Sequence, residues 1–144
     1  MPLNHSGINI PIEDIPSKFI LFGEDDKDDE DFLKEVFSDI DNSFFLHFVN
    51  NGSKLVSFLN QVPADRLPRL LVLDYNMPEL NGAEILRILQ QHDRYKSIPK
   101  IIWSTSGSEI YKKKCLELGA DEYITKPSNM NDLKTIVHHM LSIC

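Results

Sequence analysis

Hydrophobic and polar positions along the chain switch repeatedly between two periods. Short continuous apolar runs, Phe19-Ile20-Leu21-Phe22, Leu70-Leu71-Val72-Leu73 and Ile101-Ile102-Trp103, have the length and β-rich composition of strands buried on both faces. With two weaker runs they predict strands at Lys18 to Gly23, Phe44 to Val49, Leu70 to Asp74, around Trp103, and Glu122 to Ile124. Between them the period lengthens to that of a helix. Asp28 to Ile40 carries the stripe Phe32, Leu33, Val36, Phe37 and Ile40, and Ser53 to Gln61 presents Leu55, Phe58 and Leu59 before Pro63. Ala83 to Gln91 presents Ile85, Leu86, Ile88 and Leu89, Ser108 to Leu118 is stopped by Gly119, and Met130 to about Ile143 forms the last helix. Five strand-helix units in series, with almost no hairpin signal, predict right-handed crossovers: a doubly wound α/β fold whose parallel sheet is covered by helices on both faces.

In such a sheet, ligands bind outside the carboxyl ends of the strands. The residues predicted there are chemically matched. The first strand runs into Glu24-Asp25-Asp26, the third ends in Asp74, the fourth in Ser104-Thr105-Ser106 and the fifth in Thr125-Lys126-Pro127. Seven of the eight residues from Glu24 to Asp31 are acids. Asp28 to Asp31 have a local explanation, since acids in a first helical turn complement its dipole. Glu24, Asp25 and Asp26 precede that turn, and carboxylates crowded near Asp74 call for a cation; hard oxygen ligands with open water positions suit Mg²⁺. Spacing leaves open which two of the three point inward. A strand-end carboxylate beside a cation, with a hydroxyl and an ammonium opposite, is a set of parts for moving a phosphoryl group onto Asp74. Taken singly, each is ordinary: an isolated strand-end Asp is usually a turn, a lone Thr a cap, a lone Lys solvated.

Composition narrows the partners. A chain of 144 residues, 42% hydrophobic, is expected to bury one core. Its formal net charge of -7 opposes nucleic acid as a partner, and Lys112-Lys113-Lys114 reads as a solvated helix face. Cys115 and Cys144 are too few for a disulfide framework or zinc site, which points to a reduced, cytoplasmic compartment; Cys115 is expected in the core and Cys144 exposed. No run has the length of a membrane span, and no secretory leader is apparent. Residues 1–17 hold three of the eight prolines and little helical period, and read as an N-terminal extension made adherent by Ile8, Ile10, Ile12 and Ile15. Residues 18–144 form the domain.

The segments Phe22-Gly23-Glu24-Asp25-Asp26-Lys27-Asp28-Asp29, Leu73-Asp74-Tyr75-Asn76-Met77-Pro78-Glu79-Leu80-Asn81-Gly82, Ser104-Thr105-Ser106, Leu118-Gly119-Ala120-Asp121-Glu122-Tyr123 and Thr125-Lys126-Pro127 resemble, in order and spacing, the CheY-like receiver domains of two-component response regulators. The match runs from Lys18 to about Leu141. The resemblance implies the sheet order 2-1-3-4-5 and Asp74 as phosphoryl acceptor. It also implies Mg²⁺ held by Asp25, Asp74, the Asn76 carbonyl and, mainly through water, Glu24. Thr105 would follow the phosphoryl group, Lys126 would be its counter-charge, and Tyr123 would be the aromatic that reports the switch. The Lys126-Pro127 bond is expected cis. The implied partner is a sensor histidine kinase. A histidine phosphotransfer protein, another protein target or a second copy of the chain are further candidates, engaged through a face that includes Ile110, Tyr111, Lys112 and His138.

The chain departs from the family pattern at Gly23, where an aliphatic residue is usual, at Lys27, where proline is frequent, and in the hydroxyl-rich loop around Thr105. Because the chain ends with the last helix, it reads as a single-domain regulator that is not an enzyme beyond its own phosphorylation and dephosphorylation. A phosphatase of the haloacid dehalogenase type would want a second carboxylate where Asn76 stands. A flavodoxin-like phosphate binder would want a Gly/Ser/Thr-rich loop where Glu24-Asp25-Asp26 stands. An interaction domain that never takes phosphate is the remaining alternative.

Overall fold

A computed structural model of the chain describes residues 10–144. Five strands, β1 (Phe19–Gly23), β2 (Phe45–Val49), β3 (Leu70–Asp74), β4 (Lys100–Ser104) and β5 (Glu122–Thr125), form one parallel sheet in the order β2-β1-β3-β4-β5. The helices α1 (Lys27–Ile40), α2 (Gly52–Gln61), α3 (Gly82–Gln90), α4 (Glu109–Glu117) and α5 (Met130–Ile143) lie within a residue or so of the ranges expected from periodicity. Their starts are fixed by side chains that accept main-chain N–H groups: Asp26 for α1, Asn51 for α2, Asn81 in a reciprocal box with Glu84 for α3, Ser108 for α4 and Asn129 for α5.

Strand alternation sorts the core into two layers. Phe19, Leu21, Leu71, Leu73 and Ile102 pack with Leu55, Leu59, Ile85, Leu86, Leu89 and Cys115 under α2, α3 and α4. Ile20, Phe22, Leu70, Val72, Ile101 and Trp103 pack with Leu33, Val36, Phe37, Leu133, Val137 and Met140 under α1 and α5. The three central strands are buried along their whole length, and the edge strands β2 and β5 are half-buried. Part of the stretch ahead of β1 joins the first layer. Ile15 is buried there, Ile10 packs against it, and the Arg66 guanidinium donates to the Ile15 carbonyl. Ile8 lies outside the described residues.

Three expectations need correction. Phe32 does not share the inner stripe of α1: it is 48% exposed, because Leu33, Val36 and Phe37 already fill the face that meets the sheet. Cys144 is half-buried rather than exposed, packed against the α1/α5 layer with its thiol donating to the Met140 carbonyl. Three single-turn 3-10 segments, Ile12–Asp14, Ala64–Arg66 and Asp93–Tyr95, add to these elements; one turn is too short to show a period in the sequence. No cis peptide occurs among the described residues, so Lys126–Pro127 is trans, the isomer an X-Pro bond ordinarily prefers; the Lys126 N–H still bonds to the Ser104 carbonyl at 2.7 Å.

Two glycines are explained by close approach. At Gly23, where the family pattern favours an aliphatic residue, a Cβ would sit 2.9 Å from both Leu55 and Met77, whose side chains already occupy that space. At Gly52 a Cβ would lie 2.2 Å from the Leu80 carbonyl oxygen, pinning the start of α2 against the loop that follows β3. Backbone cannot retreat as a flexible side chain can. Gly52→Ala is therefore expected to lower stability by about 1–3 kcal/mol, the range for overpacking, measured as an earlier urea midpoint at unchanged slope.

His47 on β2 is buried beside the rings of Phe45 and Phe58. Burial disfavours the imidazolium and lowers its pKa from 6.5 to about 4. Between those values the unfolded chain binds the proton and the folded one does not, so the neutral form's stability is intact above pH 6.5 and is lost as pH falls toward 4. Moving from pH 7 to pH 5 is expected to cost the wild type about 2 kcal/mol more than a His47→Phe variant, read from urea unfolding of both at each pH.

Candidate functional site

The period-2 alternation that builds the α1/α5 layer also aims its continuation. Phe22, Val72, Ile101 and Ile124 face that layer, and two residues further on along each chain segment stand Glu24, Asp74, Trp103 and Lys126. All four reach the same side of the sheet at its carboxyl end. Asp74 is directly in register with Trp103.

The Lys126 ammonium gathers the acids. Its Nζ lies 2.9 Å from Asp74 Oδ2, 3.1 Å from Glu24 Oε1 and 2.8 Å from Asp29 Oδ2. The other Asp74 oxygen, Oδ1, accepts the Asn76 N–H at 3.0 Å, so the carboxylate is held at both ends. Glu24 is fixed likewise: Oε1 accepts the Trp103 indole N–H at 2.9 Å and Oε2 the Asp26 N–H at 3.1 Å. Burial, reinforced by the neighbouring Asp74 carboxyl, pushes the Glu24 pKa well above the ordinary carboxylate range, against the opposing pull of Lys126. Burial alone would lower the Lys126 pKa. Its hydrogen bonds to Asp29 and Asp74, with the charges of Glu24 and Asp74, overcome this and raise it, so the ammonium is firmly charged.

Glu24, Asp25 and Asp74 each offer a carboxylate oxygen, all within 4.8 Å of one another. Glu24 and Asp74 are buried while Asp25 is exposed, so the cluster opens to water on one side. Hard oxygen donors, an excess of negative charge and room for water match a divalent cation of the Mg²⁺ type. Asp26 takes no part. Its carboxylate accepts the N–H groups of Asp28 and Asp29 as the cap of α1.

Of the residues singled out in the sequence, Glu24, Asp25, Asp74, Asn76 and Lys126 are brought together. Thr105 stands exposed in the loop after β4, hydrogen-bonded to none of the described residues. Tyr123 is half-buried, its hydroxyl donating to the Ser106 carbonyl at 2.7 Å. Ile110, Tyr111, Lys112 and His138 are all exposed on α4 and α5, Ile110 at 77%. Two site residues escaped the sequence reading. Asp29 complements the helix dipole by its place in the first turn, and it also shares the inner stripe of α1 with Leu33 and Val36, one to two turns on. Trp103 is core, as expected, and the strand pattern also places it on the face and level of Asp74.

Residues 20–138 match the response regulator receiver domain family. The response regulator Rcp1 of Synechocystis sp. is 33% identical over 130 residues, covering 87% of each chain. The solved Mn²⁺-bound form of Rcp1 superposes with a TM-score of 0.76, at 31% identity, over 87% of this chain and 92% of the other. The phosphorylated cyanobacterial phytochrome response regulator RcpA gives 0.77 at 28% identity, over 85% and 90%. Sheet order, strand-end chemistry and these matches agree, and the chain belongs to the response regulator receiver domains of two-component signalling.

Proposed function

We propose that this domain accepts a phosphoryl group on Asp74 from a histidine kinase and so switches a protein-interaction face. The observation that carries the reading is the Asp74 carboxylate itself. It is buried at a strand tip, with one oxygen on a main-chain N–H and the other on an ammonium, beside two further carboxylates. One Asp74 oxygen attacks phosphorus in line, forming an O–P bond as the donor's bond to phosphorus breaks and the donor leaves with the electron pair. Lys126 neutralises phosphoryl charge from its place beside Oδ2, and Thr105 supplies a hydroxyl hydrogen bond from the loop opposite. Asp25, Asp74, the Asn76 carbonyl and, through water, Glu24 would hold Mg²⁺. A bound divalent cation supplies charge neutralisation at the acceptor and on the phosphoryl oxygens.

The read-out face is formed by α4, β5 and α5. Ile110, Leu116 and Tyr111 give it an exposed apolar character, and Tyr123 lies beneath, tied to the loop that carries Thr105. The Mn²⁺-bound and phosphorylated states named for Rcp1 and RcpA support extending the same chemistry to this chain.

Incubation with Mg²⁺ and acetyl phosphate is expected to add one phosphoryl mass to the intact wild-type protein and none to Asp74→Ala, with the gain abolished by chelation of the metal. Mass spectrometry of both proteins checks this. An unmodified wild type would instead assign the domain to phosphate-independent binding, and donor turnover without trapped phosphate would favour a phosphatase.

A further inference from the structure

Trp103 is 2% exposed and packs in the α1/α5 layer, a demand that leucine or phenylalanine would satisfy equally well. An indole brings an N–H that must find an acceptor when buried. Here the acceptor is Glu24, 79 residues away in the chain and itself 1% exposed. The same ring lies under Lys126, whose Nζ is 5.0 Å from its centroid, within the range of a cation–π contact. One side chain thus touches the two opposite charges that flank Asp74.

The two partners of Glu24 Oε1 differ in what they do during phosphoryl transfer. Lys126 is mobile in role, because the phosphoryl oxygens will draw its ammonium away from the carboxylates. The indole is uncharged and locked in the core, so it neither competes with a cation nor follows the phosphoryl group. With Oε2 on the Asp26 N–H, the Trp103 bond keeps both Glu24 oxygens aimed when the ammonium leaves.

We propose that Trp103 is a positioning residue of this site: its indole N–H orients Glu24 toward the cation's water shell and its ring supports Lys126. This rests on the phosphoryl-acceptor reading of Asp74. Outer partners that orient ligand groups commonly change metal affinity by a tenfold or more when removed.

The test isolates the N–H. Trp103→Phe keeps an aromatic ring in the core and removes the donor together with part of the indole's volume, which the Glu24→Gln background and the indole resonance separate from the loss of the N–H. Calorimetric titration with Mg²⁺ is expected to show a dissociation constant raised roughly five- to tenfold in that variant, the order of one buried hydrogen bond. In a Glu24→Gln background the same change is expected to cost no more than about twofold, since the effect runs through Glu24. Trp103 is also the only tryptophan, so the wild type gives a single indole N–H resonance. That resonance is expected to move with Mg²⁺ at the calorimetric midpoint, and to move in metal-free Glu24→Gln, a readout independent of how well the Phe variant folds. Unchanged Mg²⁺ affinity in Trp103→Phe, penalties that multiply in the double variant, or an indole resonance indifferent to both metal and Glu24→Gln would overturn the proposal. A wild type that takes the phosphoryl group while any of these holds loses only this inference; one that binds no Mg²⁺ and takes no phosphoryl group loses the acceptor reading as well.

Discussion

The Lys126 ammonium faces three carboxylates within 3.1 Å, two of them buried, and that charge balance governs the end of the sheet. Buried carboxylates without a cation are costly enough that they protonate or the site rearranges. One lysine cannot neutralise Glu24, Asp29 and Asp74 together, and Asp25 stands close by. The residual negative charge suits a second cation, and the exposed Asp25 leaves the cluster open to water. A site left short of positive charge is chemically suited to a further cation.

Everything else in the fold keeps those charges at hydrogen-bond distance. Parallel pairing places β1, β3 and β4 in register, so that their last residues reach one rim. Helix caps absorb the polar side chains that would otherwise compete. Asp26 is spent on α1 and Asn81 on α3, leaving Glu24, Asp25 and Asp74 for the site. The loop after β3 is pressed against Gly52 and carries Glu79 at a φ of 69°, a left-handed conformation uncommon for a residue with a side chain. An Asn51 side-chain amide that donates to the Glu79 carboxylate helps hold it there. Asp74 is thereby followed by a segment fixed from two sides.

Periodicity made the sheet, the helices and their order legible, because β1, β3 and β4 are buried on both faces and the helices between them on one. Strand-end position made Asp74, Lys126 and the acid group Glu24-Asp25-Asp26 legible for the same reason, and the resemblance singled out Glu24 and Asp25. What escaped was any role that depends on an angle or on a partner across the sheet. Asp25 and Asp26 are adjacent acids that spacing cannot tell apart; the resemblance singles out Asp25, and main-chain geometry shows why, since Asp26 caps α1. Phe32 fits a helical stripe by spacing but loses its place to Phe37 and Leu33. Asp29 and Trp103 carried a usable signal: helical and strand periods put both on the site's face, yet an acid near a helix start and an aromatic in a strand each had a sufficient local explanation.

The loop after β4 joins the neighbourhood of Asp74 to β5 and α4. Ser104 Oγ accepts the Ser106 N–H, and Ser106 Oγ accepts the Ser108 N–H, where α4 begins. The Ser106 carbonyl holds the Tyr123 hydroxyl, and Tyr111 on α4 stacks at 4.7 Å on Tyr75, the residue directly after Asp74. Thr105 sits between the two serines. On the proposed reading, drawing Thr105 toward a phosphoryl group moves Ser106, and Ser106 is shared by the Tyr123 hydroxyl and the first turn of α4. A displacement at one residue is therefore felt at both β5 and α4, with the Tyr75–Tyr111 stack as a second link from β3. Ser104 and Ser106 each close a short turn in that loop, so on the same reading a movement there would pass along a linked series rather than be absorbed as slack.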